Sequence, residues 1–498
     1  MLGEIALYAL VVLIVTGTFL TFFFQASSRT VAYHGSYKPL RGTTMSEAYR
    51  STVQLSQDVR AGLVVRQMHH WAALIFLAAI VCHLCRIFFT GSFRKPREPN
   101  WVIGVTLLVL GMANGFTGYS LPDDLLSGTG LRVAYSIATS VPIVGPWLAS
   151  LFFGGASVGP PTTGRLYVIH VLIVPAAIVA LVGVHLGILW RQKHAQFPGA
   201  GRAEPNVVGS RLWPTYAARS VALFMFVVGV VALLAGLVQI NPVWLYGPYK
   251  PAAVSTAAQP DWYLGWTEGA LRLMPSMPVH VFGYRLPEVF LPGVVLPGIT
   301  FVLLYAWPVL EARFTHDHAE HHLLDRPRDR PWRTAIGAGV LTFYVVLFVA
   351  GAQDIWASRF DVSVIAVRDV FRVVLFALPV AVAAFTGKAC ADLRKADPPE
   401  AAAERGTAPI APNEPDVSGE GIDDPDGDDD LPGAAGGHAA GPAVAAAAAA
   451  AVAAGAAGAR AGYRWGRRRP RRILIQREPD APGRHWWTTT RRTRRPPR

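Results

Sequence analysis

Four histidines recur at matched strides on two apolar stretches, His69 with His83 and His170 with His185. The first pair is 14 positions apart and the second 15. On an α-helix 14 residues turn through about 1400°, about 40° short of four full turns, and 15 overshoot by about 60°. Each pair therefore shares one face of its helix, with a rise of roughly 21–22 Å between its members. The apolar core of a bilayer is about 30 Å thick. Histidine inside a membrane span is costly and marks function, and imidazole is a standard axial ligand of haem iron. Two facing helices of this pattern would hold two haems, one toward each membrane surface. Bis-histidine ligation leaves no open position and suits electron transfer rather than oxygen chemistry. His70 stands 13 positions from His83, about 220° around the helix and off that face.

Glycine repeats the stride. Gly3 and Gly17 are 14 apart on one apolar stretch, as are Gly104 and Gly118 on another. A flat macrocycle between helices needs backbone close by, which glycine permits. Glycines also serve plain helix packing in membranes, but their step with the histidines favours the cofactor. Arg66 and Arg165 stand at one end of the His-bearing stretches and Arg86 at the other. They are placed to meet haem propionates, or to snorkel at the interface. Pro260-Asp261-Trp262-Tyr263 offers a carboxylate and a phenol, which suit removal of a proton from a quinol hydroxyl; alone, the tetrapeptide is a turn. Cys82, Cys85 and Cys390 are too few for a disulfide framework. Cys82-His83-Leu84-Cys85 lacks the following His of a covalent haem site.

The elements that must carry these residues are apolar helices. The 498 residues are 52% hydrophobic and 16% charged, against about 25% charged in a soluble domain. Eight runs approach the roughly 20 residues a spanning helix needs, near 4–25, 66–89, 101–121, 166–190, 217–239, 287–310, 333–352 and 366–387. The chain is expected to be an all-α polytopic membrane protein, with a dihaem four-helix bundle formed by the first four spans. The net charge of +13 is concentrated at the end, where residues 460–498 hold 14 Arg against Glu478 and Asp480. It therefore does not describe a nucleic-acid-binding face. Connections 86–100, 191–219 and 311–333 are rich in Lys and Arg, whereas 122–164 has only Arg132. The basic connections are expected on the cytoplasmic side of the membrane, which puts both termini there; the mixed connection 26–65 argues weakly against it. The apolar, Pro/Gly-rich connections 122–164 and 241–286 read as short helices covering a pocket. Three regions follow: 1–240 with the haem bundle and five spans, 241–390 with the quinol pocket and three spans, and a low-complexity tail, 391–498. The tail's Ala- and Arg-rich composition also fits a shifted reading frame through GC-rich DNA. The first span begins at Met1 without a charged leader, as expected of a chain that extends further upstream in its natural form.

Together these residues resemble cytochrome b, the membrane subunit of cytochrome bc complexes. The resemblance is carried by Arg66-Gln67-Met68-His69 with His83-Leu84-Cys85-Arg86, the paired glycines, and Gly118-Tyr119-Ser120-Leu121-Pro122. Arg165 through His170 with Pro175, and Pro260–Tyr263, complete it. It covers roughly residues 1–390. It implies that His69 and His170 hold a low-potential b haem on the outer side, and His83 and His185 a high-potential b haem on the cytoplasmic side. It also implies a Q cycle. Quinol is oxidised in the outer pocket with Asp261 as proton acceptor and Tyr263 as hydrogen-bond partner. One electron goes to a Rieske iron–sulfur protein, and the other crosses to an inner quinone.

Some features depart from the familiar pattern. Asp261 stands where the usual motif has Glu, one methylene longer. The second pair is spaced by 15, as in chloroplast-type chains, yet the chain is unsplit. Asp123-Asp124 follows Leu121-Pro122 in place of an aromatic residue. With the Ala/Arg-rich tail, these features resemble the actinobacterial form. That form implies menaquinone, a dihaem cytochrome c, a terminal oxidase in a supercomplex and a homodimeric complex. Arg191, Lys193 and His194 are candidates near an inner quinone. His316, His318, His321 and His322 form a polar loop whose spacing would also suit a metal. Two rivals are a dihaem anchor of a dehydrogenase, which has fewer spans, and a His-relay proton-coupled transporter, which predicts an internal repeat; no repeat is evident.

Overall fold

The structure, a computed structural model, describes residues 1–396 apart from 156–157, 200, 254–258, 278 and 282. Nearly all of the expected tail thus lies outside the described residues. α1 (Leu2–Thr21) is followed by a two-stranded antiparallel hairpin, β1 (Thr30–Ala32) with β2 (Thr44–Ser46), in which Val31 pairs with Met45. Ser46 then caps α2 (Glu47–Gln57), accepting from the Tyr49 amide at 3.2 Å. α3 (Gly62–Phe89) and α4 (Glu98–Ser120) follow, then the short α5 (Leu125–Thr139) and α6 (Gly145–Phe153). α7 (Pro161–Val168), a π turn (Ile169–Ile173) and α8 (Val174–Gln192) form one long helix. α9 (Ala217–Leu237), α10 (Val243–Tyr246) and α11 (Gly265–Leu273) precede a second hairpin, β3 (Val279–Val281) with β4 (Tyr284–Leu286). The remainder is α12 (Leu296–Thr315), α13 (Pro331–Ala350), α14 (Gln353–Phe360) and α15 (Val364–Lys395).

Among the described residues, eight helical segments are long and apolar enough to cross a membrane. They coincide with the eight expected spans. The last runs on to Lys395, so the helix passes the expected boundary at 390. Connection 122–164 does carry two helices, α5 and α6. The first of these starts because Asp124 caps it, accepting from the Leu126 amide at 3.0 Å while Ser127 Oγ receives the Asp124 amide at 3.1 Å.

α1 packs along α3, α4 along α8, and α9 closes against α3 and α1. One apolar core joins them, centred on Trp71, Leu77, Ile178 and Val231. The exit of α9 is pinned to α3 by side chain–backbone bonds: Gln67 both donates to Ile240 O (2.7 Å) and accepts from its amide (2.9 Å), and Trp71 Nε1 donates to Val238 O at 2.9 Å. A second cluster joins α11, α13 and α15 through Ala270, Leu347, Ala350 and Leu375. Where α12 and α13 meet the 90–97 connection, Arg333, only 1% exposed, donates to both oxygens of Glu311 (3.0 and 3.1 Å). Asp325 Oδ2 gathers Arg333 (2.8 Å), Arg94 (3.0 Å) and Arg330 (3.2 Å). Burial raises the Asp325 carboxyl, but these guanidinium groups outweigh it and hold it below its usual range. A buried network of this kind fixes register between helices more surely than it adds stability.

Candidate functional site

α1 and α4 run in the opposite sense to α3 and α8, so each histidine meets one glycine of its neighbour at the same level. A Cβ built on Gly17 would lie 3.1 Å from His69 Cε1, and one on Gly118 only 2.4 Å from His170 Cε1. At the other level Gly3 faces His83 (3.5 Å) and Gly104 faces His185 (3.8 Å). The four predicted glycines are thus the bare backbone against which the four imidazoles rest.

His69 and His170 face each other with ring centroids 6.2 Å apart and planes at 77°. A first-row metal held between two imidazole nitrogens at about 2 Å each, with about 1.1 Å from nitrogen to ring centre, needs about 6.2 Å. The remaining nitrogens are engaged: His69 Nδ1 lies 3.0 Å from Thr16 Oγ1, and His170 Nδ1 lies 2.9 Å from Asn114 O and 3.4 Å from Thr117 Oγ1. A carbonyl can only accept, so His170 carries its proton on Nδ1 and leaves the Nε2 lone pair free. Thr16 gives its own proton to Val12 O at 2.6 Å and so imposes the same tautomer on His69. This is the arrangement expected of metal-ligating histidines. At the other level His185 Nδ1 is shielded from solvent and lies toward the backbone of Asn100.

The 15-residue stride has a local cause. His170 lies within the π turn Ile169–Ile173, which takes one more residue than an α turn. The extra residue restores the phase that 15 α-helical steps would have lost. A repeat emerges that the sequence reading did not find. Gly3, Thr16, Gly17 and His69 recur 101 positions later as Gly104, Thr117, Gly118 and His170, while His83 recurs after 102, as His185. The shift from 101 to 102 falls at the π turn. The threonines were missed as site residues, although the doubled Thr-Gly pair was visible as a signal.

The arginines divide. Arg66 is buried, donates to Asn241 O at 2.9 Å and lies over the Trp244 ring at 5.6 Å; its Nε has no partner. An orphaned guanidinium donor beside the His69 level fits an anionic group such as a propionate. Arg86 is exposed one turn beyond His83. Arg165 has partners that its spacing does not reveal. It is exposed and donates to Ser150 O (2.8 Å) and Leu151 O (2.5 Å), so its charge serves the carbonyls at the end of α6, a tertiary neighbour no spacing reveals.

The Pro260–Tyr263 segment packs beside this level. Asp261 Oδ1 lies 3.0 Å from His70 Nε2, and Tyr263 donates to Asp261 Oδ2 at 3.3 Å. Burial, with Asp261 alongside, pushes the Tyr263 phenol well above its ordinary value, so it stays a donor. Gln259 Nε2 reaches Asp354 Oδ1 (3.3 Å), which Arg272 also holds (2.7 Å) while binding Glu268 (2.7 Å). His70 turns away from His170 and toward Asp261, and is no bystander. The His316–His322 loop is a polar knot: His321 pairs with Asp317 at 3.0 Å, His322 Nδ1 accepts from Arg97 at 3.1 Å, and Glu204 receives the Leu323 amide at 3.0 Å. Among the described residues no group of three or more His, Cys, Asp or Glu is disposed to hold a metal ion.

Residues 74–248 match the family model described as cytochrome b(N-terminal)/b6/petB. The chain is 51% identical over 398 residues to a cytochrome bc1 complex cytochrome b subunit of Mycobacterium leprae, covering 80% of this chain and 72% of that one. The chain belongs to the cytochrome b family. The cytochrome b subunit of the Streptomyces coelicolor cytochrome bc1 complex is 48% identical over 398 residues (80% of this chain, 73% of that one), and that of Corynebacterium diphtheriae 47% over 415 (83% and 77%). A chain of a hyperthermophilic respiratory Complex III is similar in fold at a TM-score of 0.57 and 20% identity, covering 77% of this chain and 90% of that one. Membership in this family implies haem b and quinone binding, and makes the chain an integral membrane protein.

Proposed function

We propose that this chain is the redox subunit of a respiratory quinol–cytochrome c reductase, with two b haems held by His69–His170 and His83–His185. The observation that carries this is the pair of facing imidazoles at 6.2 Å whose Nδ1 atoms are already committed to Thr16 and Asn114. The haems, when bound, supply the one-electron couples that link two quinone sites. Arg66 would hold a propionate and the four glycines would let the macrocycles approach the backbone.

The His69 level faces outside and both termini face the cytoplasm, a reading that rests on the basic connections 86–100, 191–219 and 311–333. Quinol oxidation takes place beside Pro260–Tyr263. Asp261 accepts the proton of a quinol hydroxyl, and the buried phenol of Tyr263 fixes the carboxylate from its second oxygen. The inner quinone lies near Arg191, Lys193 and His194. Burial, with Arg86 nearby, holds His194 below its ordinary value against the opposing pull of Glu4, and Lys193 lies 6.0 Å over the Trp190 ring. Residues 1–240 act as the haem-binding unit and 241–390 as the unit that closes the quinol pocket. The lineage of the relatives favours menaquinone. The same lineage favours a Rieske protein, a dihaem cytochrome c and a terminal oxidase as partners, within a dimeric complex.

A reduced-minus-oxidised spectrum with haem quantification tests this. Two b haems per chain are expected, and none would sink the reading. His83→Ala should remove one haem and leave the other. Asp261→Asn should abolish quinol oxidation with both haems retained; unchanged turnover would refute its role.

A further inference from the structure

We propose that His70 is a positioning residue for quinol oxidation, holding the Asp261 carboxylate in the orientation in which it receives the proton. The inference deepens the proposed function and rests on Asp261 being the acceptor.

Adjacent residues on a helix point about 100° apart. On α3, His69 turns toward α8 while His70 turns toward the 260–263 segment. His70 Nε2 and Asp261 Oδ1 are 3.0 Å apart, with both side chains largely shielded, at 15% and 16% exposure. The second oxygen takes the Tyr263 hydroxyl at 3.3 Å. Tyr263 cannot retreat, because it packs on α4 at Gly115, where a Cβ would come 2.5 Å from its oxygen. The carboxylate is therefore held from both sides, by α3 and by a phenol wedged on α4.

A carboxylate has about four lone-pair sites. Two are used here, and one on each oxygen remains for a substrate hydroxyl. Aspartate is also shorter than the glutamate of the usual motif, so its oxygens sweep less space and their placement depends more on what grips them. The grip extends to the preceding residue, since Gln259 is tied to Asp354 at 3.3 Å. His70 acts through Asp261 and exchanges no proton with the substrate. Misplacement of a reacting group by about 1 Å costs on the order of 100-fold in rate.

The experiment compares His70→Ala and His70→Gln in the intact purified complex, with Asp261→Asn alongside. The glutamine keeps an N–H donor near the Nε2 position. Haem spectra are recorded first, then kcat and KM for quinol with cytochrome c as acceptor. Both haems should remain in every variant. His70→Ala should lower kcat by roughly 10–100-fold with little change in KM, and His70→Gln should recover most of the loss. His70→Ala combined with Asp261→Asn should be no slower than Asp261→Asn alone. Wild-type kcat in His70→Ala overturns the proposal, as does a glutamine variant as slow as alanine. If Asp261→Asn turns over normally, the acceptor assignment fails and the proposal with it; if only His70→Ala is silent, the positioning role alone fails. Should the alanine variant not assemble, His70→Leu, which fills the space without a donor, carries the same comparison.

Discussion

Thr16 Oγ1 stands 3.0 Å from His69 Nδ1 and passes its own proton to Val12 O at 2.6 Å. A hydroxyl next to Gly17, with the Leu13 backbone beside it, thereby leaves Nε2 as the nitrogen of His69 that would bind iron. Thr16→Val keeps the shape and removes the acceptor. Loss of such an outer partner typically costs 10–100-fold in metal affinity. The expected outcome is weaker retention of the haem at this level and a shifted midpoint in a redox titration, with the other haem unchanged.

The glycines are not equivalent. A Cβ on Gly118 would come 2.4 Å from His170, whereas one on Gly104 would make an ordinary 3.8 Å contact with His185. Gly118→Val should displace His170 and lose one haem. Gly104→Ala should keep two by pyridine haemochrome quantification.

Arg272 binds Glu268 and Asp354 at 2.7 Å each, and Asp354 holds Gln259. Arg272→Ala leaves two partly buried carboxylates without their cation, a loss of about 1–3 kcal/mol by the measure of a buried polar group left unsatisfied. Quinol oxidation should slow and the thermal midpoint fall, while both haem signals persist.

Burial pushes Asp123 up to about 6, Ser46 opposing and Asp124 adding to the rise. The folded state thus holds this proton more tightly than the unfolded chain, whose value is about 3.9. Stability from this group is fully present below about pH 4 and lost as pH rises through 6. Asp123→Asn should flatten that slope and stabilise the complex above pH 6 by about 1–3 kcal/mol. Thermal midpoints of wild type and variant from pH 4.5 to 8 measure it.

The spans and the four histidines were legible because each rests on a periodicity, in hydropathy or in angle around one helix. Gly3, Gly17, Gly104 and Gly118 were legible because they keep the same step. Arg165 was not, since its carbonyl partners on α6 come from a turn of the connection that no spacing encodes. His70 was set aside on the angle that excluded it from iron; what lies on its own side, Asp261, is 191 positions away. The 101-residue repeat escaped because one extra residue breaks it before the fourth histidine.

That extra residue sits in the turn Ile169–Ile173, and its presence divides the helix into two stretches with separate tolerances. Removing one residue inside the turn would tighten it to an ordinary α turn and leave His185 facing as before. The same deletion between Val174 and Leu181 would swing everything beyond it by about 100° and carry His185 out of reach of its partner. Length variation in this helix is therefore tolerated within the turn, His170 itself excepted, and ruinous beyond it, so the residue count between the two histidines is a property of one turn rather than of the span.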